Sequence, residues 1–246
     1  MIISIANAAI SLVLSAGLSS LAYRHRMLTA NGSFSAFLVS SAIGVFGGIP
    51  WLLTILAFVV AAFLTTKFRI LEKAGKGLQE GRKGERGTMN VVANSLPGVA
   101  IALLNFFGPG SITHAEYALL FIVSIAAAAS DTLASEIGVI DRNTRLITTF
   151  AKVPTGTDGG ISVLGTTAAL GGAVFIALTG YALLFLSGIR LPVSLLPPVV
   201  LFGFLGSMVD SLLGATLERR GLIGKQTNNV SSIVIVSLLA YIVLFM

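Results

Sequence analysis

Apolar runs long enough to cross a bilayer follow one another along this chain with little between them, and that spacing constrains the fold more than any motif does. Runs near the ~20 residues that span a hydrocarbon core fall at Ile2–Ala22, Pro50–Thr66, Met89–Phe107, Glu116–Gly138, Ile161–Ser187, Val193–Gly214 and Asn229–Met246. A shorter run, Ser33–Gly48, makes an eighth, and its Gly44, Gly47 and Gly48 permit close packing against neighbours. Inside a bilayer each backbone N–H and C=O must be satisfied within its own segment, so runs of this kind become helices. The expected fold is all-α: a polytopic integral membrane protein of about eight transmembrane helices, forming one membrane domain over residues 1–246. Only 11% of the residues are charged and the mean hydropathy is +0.94, against about 25% charged in soluble domains. With Cys 0, a disulfide framework, a thiolate metal site and a cysteine nucleophile are excluded.

The charges set the orientation. The first run has no basic residue ahead of it, and Arg24, His25 and Arg26 follow it. That order fits a first helix with its N-terminus outside better than a cleaved signal peptide. Threading eight spans from there puts 15 of the 16 basic residues on one side and leaves Arg190 on the other. The positive-inside rule makes the basic side cytoplasmic, so both termini are expected on the non-cytoplasmic side of a cell membrane. The connections at roughly 67–88, 139–160 and 215–228 are long and cytoplasmic, and loops of that length tend to be functional. A pI near 10.0 then reflects topology rather than a nucleic-acid partner.

Polar residues gather in the cytoplasmic halves of the spans. Asp131 and Glu136 stand near the end of the fifth span, Asp131 sharing a face with Ser135 and Glu136 with Thr132. Charges at such depth normally face a cavity or a cation. Oxygen-only ligands suit Mg²⁺, which bridges carboxylates and substrate phosphates; a proton relay is the alternative. If the fourth span starts near Arg82, then Arg82, Arg86, Asn90 and Asn94 form one stripe suited to a phosphate entering from the cytoplasm. The segment Lys152-Val153-Pro154-Thr155-Gly156-Thr157-Asp158-Gly159-Gly160-Ile161-Ser162 lacks the Walker A spacing, but its glycines and the helix start after it suit an anion. Asp158 or Thr157 would serve as the N-cap. Asp210 and Ser211 end the seventh span as Asp131 and Thr132 end the fifth, and Asn228 and Asn229 open the last. This echo describes a duplicated two-helix hairpin that would set both acids around one cavity. Little polar faces the outer side beyond Asn7, which favours an enzyme taking a soluble reactant from the cytoplasm and a lipid from the bilayer.

Taken together, Arg82 to Asn94, the string Ser130-Asp131-Thr132-Leu133-Ala134-Ser135-Glu136-Ile137-Gly138, Pro154 to Gly165, Gly206 to Thr216 and Asn228-Asn229 resemble the integral-membrane phytyl-phosphate kinase family, which includes a eukaryotic transmembrane-protein branch. The resemblance runs in order from about residue 80 to about 230, with Leu133 standing where many members carry an aromatic residue. It implies nucleotide-dependent phosphorylation of a prenyl monophosphate, phytyl or geranylgeranyl phosphate for example, to the diphosphate. On this reading Asp131, Glu136 and Asp210 hold Mg²⁺, and Arg82, Arg86 and Lys152 clamp phosphates. Asn90 and Asn94 hold the acceptor phosphate. The turn Thr157, Asp158, Gly159 and Gly160 cradles the nucleoside triphosphate, and Ser162, Ser211, Asn228 and Asn229 are further substrate-binding residues. A CTP-dependent lipid cytidylyltransferase, or a proton- or cation-coupled transporter using Asp131 and Glu136, are the alternatives.

Overall fold

The computed structural model describes residues 4–79, 81, 84–108 and 110–246. Among them, eight helices are long and apolar enough to cross a membrane. They are α1 (Ile5–Arg24), α2 (Ala30–Gly47), α3 (Ile49–Lys67), α5 (Thr88–Phe107), α6 (His114–Gly138), α7 (Val163–Leu186), α8 (Leu196–Leu213) and α9 (Lys225–Phe245). A six-residue helix, α4 (Ile70–Gly75), lies between α3 and α5. A two-stranded antiparallel ribbon, β1 (Arg145–Leu146) with β2 (Gly160–Ile161), closes the connection from α6 to α7. The short second run reaches full span length because Thr29 caps the helix early, its Oγ1 accepting from the Gly32 N–H at 3.1 Å. One start moves the other way. The fourth span begins at Thr88, not near Arg82, so Arg86 lies ahead of the helix in a backbone bridge to Leu28.

Helix α6 is the axis of the bundle, buried continuously from Tyr117 to Ser130 and packed on by α3, α5, α7, α8 and α9. In lipid there is no hydrophobic drive between helices, so association depends on backbones approaching over small residues. The alanines Ala126 to Ala129 meet glycines from their neighbours: Gly203 and Gly206 of α8 on Ala126 and Ala127, and Gly172 of α7 on the Ala129 carbonyl. A Cβ added to Gly206 would lie 2.4 Å from that of Ala127. Nearer the other end, Phe121 stacks on Trp51 of α3 at 4.4 Å between ring centroids. This enclosure keeps the polar end of α6 away from lipid.

Pairings along the helices fix their directions. Gly180 sits by Ile122 and Gly165 by Ala134 and Gly138, so α7 runs against α6. The successive meetings of α8 with α6 make those two parallel. The basic connections therefore meet at one end of the bundle. There the Thr29 N–H donates to the Arg86 carbonyl at 3.1 Å, Gly156 packs on Leu78, and Gly159 packs on Ala215. Asp141 fastens the α6–α7 connection to the start of α7. It accepts from the N–H groups of Asn143 (2.9 Å) and Leu164 (3.4 Å), which hold its carboxyl below the usual carboxylate range.

Candidate functional site

The parallel run of α6 and α8 brings Asp131 and Asp210 onto one cavity at the basic end, near enough for the two carboxyl groups to act on each other. Two carboxyl groups so close repel each other unless a proton or a cation lies between them. Helix α9 supplies their other partners. Ser232 Oγ donates to Asp210 Oδ1 at 3.4 Å, and Asn228 Nδ2 donates to the Asp210 carbonyl at 3.1 Å. The same amide also donates to Glu218 Oε2 at 2.9 Å. Glu218 gets there because α8 widens into a π turn over Gly214–Glu218, and such turns recur at functional sites. The Lys225 ammonium, at the start of α9, is the principal positive charge acting on Asp131, with Arg86 behind it.

Asp131, Asp210, Glu218, Lys225 and Asn228 line a cavity of about 260 Å³. The turn Thr157, Asp158, Gly159 and Gly160 also lines it, as do Ser162, Ser135, Ser211 and Asn229. Asp158 and Thr157 do not cap α7, as the sequence suggested. Ser162 does, its Oγ accepting from the Gly165 N–H at 3.1 Å. Gly159 has φ of +74°, and a Cβ there would lie 2.4 Å from the Ala215 nitrogen, which is backbone and cannot swing aside. Gly159→Ala is expected to push the turn off the π segment, lowering both the unfolding midpoint in detergent and turnover. The left-handed backbone alone costs a side chain about 1–2 kcal/mol. An unchanged midpoint would show that the turn yields freely.

Glu136 leaves the group in which the sequence reading placed it. Its carboxylate points away from Asp131 into a buried cluster: Oε2 takes Lys73 Nζ at 2.7 Å, and Oε1 takes Thr66 Oγ1 at 2.7 Å and Arg86 Nη2 at 3.4 Å. Lys73, only 1% exposed, also donates to the Thr65 carbonyl at 3.0 Å and so pins α4 to the bundle. Among the described residues no group of three or more His, Cys, Asp or Glu is arranged to hold a metal. Arg86 keeps its expected neighbour although it precedes the helix, with Nη1 donating to Asn90 Oδ1 at 3.3 Å. Asn94 Nδ2 bonds to Asn90 in turn. Lys152 is also displaced from its expected place: it is exposed, beside Lys76 and Arg142 on the outer surface of the loop. Arg82 lies outside the described residues. Sequence reasoning missed Glu218, Lys225 and Lys73. The first two had a signal, since they flank the turn between the Asp210 and Asn228 motifs, but Lys73 had none.

Similar proteins occur in distant organisms. The chain is 33% identical over 214 residues to the uncharacterized membrane protein MJ0933 of Methanocaldococcus jannaschii, covering 86% of this chain and 84% of that one. It is 31% identical over 221 residues to the chloroplastic protein VTE6 of Arabidopsis thaliana, covering 89% of this chain and 65% of that one. With the uncharacterized membrane protein sll0875 of Synechocystis it shares 33% identity over 196 residues, covering 79% of this chain and 74% of that one. No solved structure matches the chain. The family model of the integral membrane protein DUF92 matches residues 13–238, so the chain, with its paired aspartates at the basic end of eight spans, belongs to that family.

Proposed function

We propose that the chain is a prenyl-phosphate kinase, transferring the terminal phosphoryl group of a nucleoside triphosphate to a prenyl monophosphate on the face that the charge rule makes cytoplasmic. The observation that carries this reading is that Asp131 and Asp210, from two different helices, line one polar cavity together with a glycine turn. The relation to VTE6 and the resemblance to phytyl-phosphate kinases support it.

Two carboxylates open to a polar cavity are a donor set that fits Mg²⁺, a hard ion that keeps waters and accepts substrate phosphates as further ligands. Asp131 and Asp210 would hold it. When bound, the ion neutralises charge on the phosphates during transfer. The remaining work belongs to the chain. The Thr157–Gly160 turn lets its backbone approach the nucleotide phosphates closely, Lys225 adds positive charge, and Arg86 with Asn90 orients the acceptor. An oxygen of the acceptor phosphate forms the new bond to the γ-phosphorus while the bond to the β-phosphate oxygen breaks, releasing a nucleoside diphosphate. The acceptor is already an anion at neutral pH, so no general base is needed. In such a transfer positioning and electrostatic stabilisation do most of the catalysis.

The packing beyond the site weighs against transport, because Phe121, Ile122 and Ile125 of α6 fill against Trp51, Gly180 and Gly98 in the other half of the bundle. The test is product analysis. Purified protein in detergent receives ATP, CTP, GTP or UTP with geranylgeranyl phosphate, and the products are resolved by mass. Prenyl diphosphate with a nucleoside diphosphate is expected. Release of pyrophosphate would identify a cytidylyltransferase instead, and ion flux in proteoliposomes without nucleotide would identify a transporter.

A further inference from the structure

A second cavity, of about 280 Å³, lies on the flank formed by α1, α2, α3 and α5. Its walls are apolar, with Leu18, Val39, Leu52, Ile55, Val59 and Phe63 among them, and its rim reaches the outer surface of the bundle at Leu21 and Val60. At its basic end the lining changes to Arg86, Asn90 and Asn94. Two buried polar atoms there have no partner among the described residues: Arg86 Nε and Asn94 Oδ1. Asn94 is 4% exposed, and the Arg86 side chain 12%. Buried polar atoms are nearly always satisfied, so such a pair at the head of an apolar groove calls for a ligand.

We infer that this groove seats a single-chain lipid monophosphate, tail along α3 and phosphate on Arg86. The charges are complementary: the free Nε–H donates to a phosphate oxygen, and Asn94 Oδ1 accepts from the water or P–OH that accompanies it. The volume lies below the usual range of ~300–1,000 Å³ for ligand pockets, which suits one chain rather than the two of a phospholipid. Along α3 the lining runs from Leu52 to Phe63, about 16 Å of helix and so about half of a ~30 Å hydrocarbon core. A longer tail continues into lipid, so affinity should rise with chain length and then level off. The inference rests on the kinase reading and deepens it, because Arg86 lines this cavity and its charge reaches Asp131 on the other. The head of the lipid would thus lie at the same basic end of the bundle as the paired aspartates.

The test is photo-labelling without nucleotide. Protein in detergent is irradiated with geranylgeranyl monophosphate carrying a diazirine at the end of its tail, and labelled peptides are mapped by mass. Label is expected on the α1 or α3 segments that line the groove, displaced by unlabelled geranylgeranyl monophosphate. The free alcohol should displace it at least about tenfold less well, the scale of a lost charge-assisted hydrogen bond, and Arg86→Met should weaken labelling similarly. The comparison of phosphate with alcohol uses the unaltered chain, so it stands even if the variant fails to fold. Displacement by phosphatidate as effective as by the monophosphate, or label confined to other helices, would overturn the assignment. Binding here with no transfer would sink the kinase and leave the groove, whereas turnover with label elsewhere would do the reverse.

Discussion

Asp131→Asn is expected to lower kcat/KM for Mg²⁺-dependent transfer by roughly 10³-fold or more, the scale seen when one electrostatic partner of a transition state is lost. The substitution keeps the shape of the side chain and its capacity to hydrogen-bond Asp210. It removes one of two carboxyl groups that can share the site across α6 and α8 only with a proton or a cation between them. In the chain without substrate the buried, crowded carboxyl is a liability, because desolvation and a neighbouring acid both disfavour its charged form. The unfolding midpoint of Asp131→Asn should therefore be unchanged or higher, and a loss of activity together with a raised midpoint is the signature of a residue kept for chemistry. Asp210→Asn should behave alike. The double variant should lose little more than either single one, since both groups act on the same ion. Near-normal turnover of Asp131→Asn, or a fall in midpoint that accounts for the lost activity, would remove Asp131 from the site.

The eight spans were legible because length and hydropathy are local quantities, and a bilayer demands them of each span separately. The meeting of Asp131 with Asp210 was legible more faintly, through the short echo between the ends of two spans. The assignment of Glu136 to the same cluster did not hold, and the reason was already in the spacing. Five residues at about 100° each place Glu136 about 140° around α6 from Asp131, so the two carboxylates cannot serve one small ion from a straight helix. What the spacing could not reveal is the partner. Lys73 lies sixty-three positions before Glu136, in a short helix with no periodicity to mark it, and only the tertiary fold brings its ammonium inside. Glu218 had a signal in its place beside the turn, but helical spacing argued against it. Standard α-helical counting from Asp210 puts it off the site, and the π turn restores it. The apolar groove is a property of four packed helices and leaves no pattern in any one of them.

Lys73→Met is expected to be among the most destabilising single substitutions in the chain outside the glycine contacts. It strips Glu136 of its 2.7 Å ion pair and leaves a buried carboxylate with Thr66 and a 3.4 Å contact to Arg86. Removing one partner of a buried pair costs about 3–5 kcal/mol, because the other charge stays desolvated. For a chain of this size that corresponds to a fall in unfolding midpoint of roughly 10 °C, measurable in detergent by the fluorescence of Trp51, the one tryptophan. Adding Glu136→Gln to Lys73→Met should recover most of the loss, since the stranded charge is then gone, whereas independent effects would simply add. The rescued double variant separates stability from chemistry. Glu136 holds Arg86 at Nη2 beside Thr66 Oγ1, with Asn90 Oδ1 on Nη1, and without the Glu136 charge the guanidinium is held less firmly at the head of the groove. The double variant should therefore fold well and still show a raised KM for the lipid phosphate, with the nucleotide KM little altered. A rise in both KM values would mean that the cluster holds the whole basic end in place rather than Arg86 in particular.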